Sequence, residues 1–123
     1  MADLTANIVD RLDRGIGITD LSTQGTALTE LTNTYRNDGN ILAFVINASA
    51  GAVVATLKSQ PDSFGRGGAA DTDNDETITI AAGETGFFPF HSGAMFNASG
   101  VCTLETDAFT SVSVLLVRVR KAR

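Results

Sequence analysis

The densest set of oxygen ligands in this chain is the acidic run Asp71, Asp73, Asp75 and Glu76. An EF-hand calcium loop needs glycine at its sixth position for the turn and a bidentate glutamate at its twelfth. Counted from Asp71, those positions hold Glu76 and Ala82, so the pattern is not met. The run reads as a solvated turn, with a looser oxygen site for calcium as its alternative. The single histidine, His91, rules out multi-histidine metal centres. No G-x-S-x-G elbow presents Ser92 or Ser99 to it as a nucleophile. Cys102 stands alone in VCTL and reads as a small buried hydrophobe outside any disulfide framework. Gly15-Ile16-Gly17 lacks the third glycine and the preceding strand that a phosphate loop requires. Sugar platforms favour exposed Trp and Tyr, and the chain offers no Trp and only Tyr35. Asn47-Ala48-Ser49 and Asn97-Ala98-Ser99 match the glycosylation pattern but, with no secretory signal in view, read as turns. These residues predict no catalytic centre, no metal and no cofactor.

The elements that hold them are mostly strands. At the centre lies Thr77–Phe90, TITIAAGETGFFPF. Thr77 to Ile80 alternate polar and apolar, the period of a strand with one wet face. Gly83 breaks the run as the residue that takes positive φ at no steric cost. Phe87, Phe88 and Phe90 then place three rings within four residues, against a core or against a partner. Pro89 removes a backbone donor, so this strand lies on a sheet edge or ends there. Around the centre, Leu28–Tyr35 reads as a strand closed by the Asn37-Asp38-Gly39 turn. Ile41–Asn47 and Ala52–Lys58 read as a hairpin, as do Ala94–Asn97 and Val101–Thr106. Ser111–Val119 is the longest and most apolar strand; its loss of alternation at Val114–Val117 predicts a strand that is central or buried on both sides. Two Asn-Ala-Ser turns, one before AVVATL and one before VCTL, give a weak internal repeat.

The chain of 123 residues is 43% apolar, which suits one core, and seven or eight short strands predict an all-β sandwich or barrel. Residues 1–26 differ in kind. Leu4, Ile8, Val9 and Leu12 recur at helical spacing with Asp3 as a cap, so this segment reads as a short helix or an arm ahead of a sandwich domain over 27–123. A net charge of −5 argues against a nucleic-acid partner. No apolar run reaches the roughly 20 residues of a membrane span, which predicts a soluble chain made in a cytoplasm. Arg118, Arg120, Lys121 and Arg123 form a basic C-terminus, either a solvated tail or a contact for an acidic surface.

From Asn37 to Val119 the sequence resembles the small jelly-roll-like β-sandwich proteins that decorate the heads of tailed bacteriophages. The likeness rests on Asn37-Asp38-Gly39, on ILAFVINASAGAVVATL, on ITIAAGETGFFPF and on PFHSGAMFN leading into VCTL. Ala81 stands where that family often has proline, and Phe88 precedes Pro89 where glycine is common. The resemblance implies a jelly-roll-like sandwich with no enzymatic activity, a cement protein on the outer capsid surface of a virion assembled in a bacterial host. Its implied partners are the major capsid protein and copies of itself, a trimer on a local three-fold first and a dimer next. Leu4, Ile8, Arg11, Leu12 and Arg14 are the expected capsid contacts. Phe87, Phe88, Phe90 and His91 are the expected subunit interface, with core packing as the alternative for the phenylalanines. A tail or fibre module that binds host glycans is the alternative role.

Overall fold

A computed structural model of the chain describes residues 2–4, 25–36, 41–58, 75–88 and 100–118. They form nine short strands: β1 (Ala2–Leu4), β2 (Thr26–Ala27), β3 (Thr32–Arg36), β4 (Ile41–Asn47), β5 (Val53–Leu57), β6 (Glu76–Ile80), β7 (Thr85–Phe88), β8 (Val101–Thr106) and β9 (Val112–Arg118). One sheet runs β1-β3-β8-β5-β6 and the other β2-β9-β4-β7. All ladders are antiparallel except β1 on β3. The fold is a β-sandwich, as the strand pattern predicts.

The alternation of side chains builds the core. On β5, Val53, Ala55 and Leu57 point inward, and on β8 Cys102 and Leu104 do the same. From the other sheet come Ala43 and Val45 of β4, Phe88 of β7, and Val112, Val114 and Leu116 of β9. A fully buried Leu or Phe contributes about 1.5–3 kcal/mol of transfer free energy, so this layer is the main source of stability. The outward faces differ sharply. The five-stranded sheet shows water Thr32, Thr34, Thr56, Thr77, Thr79 and Thr103, with Thr56 and Thr77 hydroxyls 3.2 Å apart across the ladder. The four-stranded sheet instead carries Leu42, Phe44, Ile46, Leu115 and Val117 on its outer side, a second apolar cluster. Val114 to Val117 is therefore buried on both sides, and β9 lies between β2 and β4 as its composition requires.

Three readings need correction. Ile41–Asn47 and Ala52–Lys58 are not a hairpin: β4 and β5 belong to different sheets, and residues 48–52 cross between them. The crossing is stable because β4 finds its ladder partners in β7 and β9, which are far away in sequence. Leu28–Tyr35 is a strand only from Thr32. Leu28 is buried, with its N–H bonded to Val112 O at 2.9 Å, where the chain passes from one sheet to the other. Asp3 and Leu4 belong to a strand rather than a helix, with Asp3 opposite Thr34 and Leu4 opposite Tyr35. The turn at 37–40, the proposed strand at 94–97 and helical positions beyond Leu4 lie outside the described residues.

Candidate functional site

The two corners that cross between sheets meet at one side chain. Asn47 ends β4 and is 1% exposed. Its Nδ2 donates to the carbonyl of Gly51 at 2.8 Å, in the first corner, and to those of Ile80 and Ala81 at 3.1 and 3.2 Å, in the second. Its Oδ1 accepts from the Ser49 N–H at 3.0 Å and lies against the Ser49 hydroxyl. An amide supplies donors and an acceptor on one planar group, which is what binding carbonyls on one side and an N–H on the other demands. The second corner closes with Glu84 N–H bonded to Ala81 O at 3.0 Å and with Gly83 at φ 77°. Asn47 is thus a structural clamp.

The other chemistry-bearing residues are engaged in the fold. Asp75 pairs with Lys58 at 2.7 Å, and Glu105 Oε2 stands 4.0 Å from the same ammonium. The hydrogen bond that Lys58 donates to Asp75 raises the Lys58 pKa; burial opposes it as the next largest effect, and the charges of Asp75 and Glu105 add smaller upward pushes. This member of the acidic run ties together the ends of β5 and β6. Among the described residues no group of three His, Cys, Asp or Glu side chains could hold a metal. Tyr35 is 2% exposed and is no sugar platform. Burial, then the charge and hydrogen bond of Cys102, push its phenol well above the ordinary range. Asn33 Oδ1 and Thr106 Oγ1 are buried without hydrogen-bond partners on the inner side of β3 and β8.

The sequence-named contact residues separate. Leu4 is 8% exposed and packs in the sandwich core, so it is a core residue and not a partner contact. Phe88 is fully buried in the same core, whereas Phe87, one residue on, is 55% exposed. Strand alternation alone decides this, since neighbouring side chains on β7 point to opposite faces. The Phe87 ring lies on Phe44, with centroids 5.9 Å apart and planes tilted by 39°. Ile8, Arg11, Leu12, Arg14, Phe90 and His91 lie outside the described residues.

Sequence reasoning missed a groove of about 420 Å³ beside the β8–β9 turn, lined by Ala27, Leu28, Ala48, Phe109, Thr110 and Ser111 among others. Phe109 is 40% exposed, and Ser111 has φ 59°, a left-handed conformation that glycine adopts more readily. The Val112 N–H bonded to Phe109 O at 3.2 Å closes this turn. Nothing in FTSV announces a positive φ, since the usual signal, glycine or asparagine, is absent. Comparison with protein-family models, with curated proteins and with solved structures finds no match to this chain.

Proposed function

We propose that this chain is a structural protein of a virion, decorating the outer surface of a tailed-phage head and stabilising the shell by bridging copies of the major capsid protein. One observation carries the reading. The two segments on which the resemblance rests most, VINASAG and ITIAAGETGFF, are joined in space by Asn47, which bonds to backbone carbonyls 33 and 34 residues away. Within these motifs Asn47 and the two turns it joins serve the fold. Decoration suits such a rigid body, because many weak contacts repeated over a symmetric shell sum to high avidity. Ile8, Arg11, Leu12 and Arg14 remain the proposed shell contacts, with Leu4 withdrawn to the core.

The test is to mix the purified protein with expanded, undecorated phage shells and read binding by sedimentation and cryo-microscopy. Saturable occupancy at symmetry-related positions is expected. Ile8→Asp with Leu12→Asp, and Arg11→Glu with Arg14→Glu, should weaken it while leaving β1 in place. Absence of binding to any shell would overturn the reading. A second reading, a tail or fibre module that binds host glycans, draws on the groove beside exposed Phe109. Glycan-array binding that is lost on Phe109→Ala would favour it.

A further inference from the structure

We infer that the edge of β7, which has no strand beside it among the described residues, is a self-association site, where Thr85–Phe88 pairs antiparallel with the same strand of a second copy. The inference concerns the isolated protein and stands whether or not it decorates a shell. The donor pattern of the edge follows from the ladder. Asn47 N–H donates to Glu84 O at 3.0 Å, and the register continues through Ile46–Thr85, Val45–Gly86, Phe44–Phe87 and Ala43–Phe88. In an antiparallel ladder bonded and non-bonded pairs alternate. Gly86 and Phe88 therefore spend their backbone groups on β4. The N–H and C=O of Thr85 and Phe87 point the other way, toward an edge with no strand beside it among the described residues.

A second copy matches this edge under a two-fold axis through Gly86. Thr85 then faces Phe87 of the second copy, and each such pair exchanges both of its backbone hydrogen bonds. Gly86 sits at the crossing, its missing side chain on the inner face, where a Cβ would come within 2.9 Å of Ile78 and Ile80. On the outer face each exposed Phe87 continues the ring pair with Phe44 across the junction. Charge restricts where a second copy can dock. The chain carries −5 and two copies repel over most approaches. The outer face of the four-stranded sheet presents Leu42, Phe44, Thr85, Phe87 and Ser113 there, none of them charged. Edge pairing with an apolar flank is a recurrent mode of strand addition, and it favours a two-fold dimer over the three-fold arrangement expected from the resemblance.

The test is the mass of the full chain in solution, by sedimentation velocity and light scattering across a concentration series. Wild type is expected at twice 12.8 kDa. Thr85→Pro removes an outward donor without touching a bond to β4, and Phe87→Lys places a charge on the junction. Each should raise the dimer dissociation constant at least about 100-fold with unchanged far-ultraviolet circular dichroism. A wild type that is monomeric throughout, a trimer, or a dimer indifferent to Phe87→Lys would overturn the inference. Because no shell is present, failure here is distinct from failure of the decoration reading.

Discussion

Asn47 holds together parts of the chain that share no ladder, so its removal has a cost beyond one contact. Asn47→Ala leaves the carbonyls of Gly51, Ile80 and Ala81 without this donor and frees both corners. With about 1 kcal/mol for each net hydrogen bond and more for stranded buried carbonyls, a loss of about 2–4 kcal/mol is expected in urea unfolding. Asn47→Asp should be worse, because a carboxylate would then face carbonyl oxygens. Ser111 offers the opposite case. Its φ of 59° costs roughly 1–2 kcal/mol for an L-residue, partly offset by the greater chain entropy of glycine. Ser111→Gly is expected to raise stability by several tenths to about 1 kcal/mol, read from the same denaturation midpoint. Tyr35 gives a pH dependence with a definite sign. Its folded pKa is raised by burial above the ordinary value near 10, so the native state keeps the proton longer than the unfolded chain. That contribution is fully present below pH 10 and falls by about 1.4 kcal/mol per unit above it, until the folded group also titrates. Absorbance at about 295 nm should show no phenolate until the protein unfolds, and early phenolate in a folded sample would contradict it.

At the level of elements, β7 decides between packing and contact within two adjacent residues. Phe88→Ala empties a fully buried site and should cost about 3–5 kcal/mol, whereas Phe87→Ser should change monomer stability by less than about 1 kcal/mol. Equal losses in thermal unfolding would mean that the face assignment is wrong. The strands themselves were largely legible. Ile41–Asn47 matches β4 residue for residue, Thr77–Ile80 falls within β6, and the strand before Pro89 lies at a sheet edge among the described residues. The partners were not legible, because period-two patterning states which face is buried and leaves open which strand lies alongside. ASAG after β4 looks like any hairpin turn; only the distant carbonyls of Ile80 and Ala81 make it a crossing. Leu4 misled for a related reason: spacing to Ile8 and Leu12 suits a helix, yet β3 offered its first residues a ladder. Of the candidate site, the split between Phe87 and Phe88 followed from alternation once the register was known. The strained turn at Ser111 had no sequence signal at all.

For the whole molecule, the contrast between outer faces sets direction. One outer face is rich in threonine; the other carries an apolar cluster in which Ile46, Leu115 and Val117 are themselves buried, and its β7 edge has no strand beside it among the described residues. The order of strands has a different consequence. Among the described residues only β5 and β6 are both consecutive and laddered to each other. A break in the chain between Lys58 and Asp75 would leave a first fragment supplying β1, β3 and β5 to one sheet and β2 and β4 to the other. The second fragment would supply β6 and β8 to the first sheet, and β7 and β9 to the second. Neither piece could withdraw without dismantling both sheets. A nicked molecule should therefore migrate as one particle under native conditions and separate only in denaturant, and the two halves, expressed apart, should reassemble as a split protein.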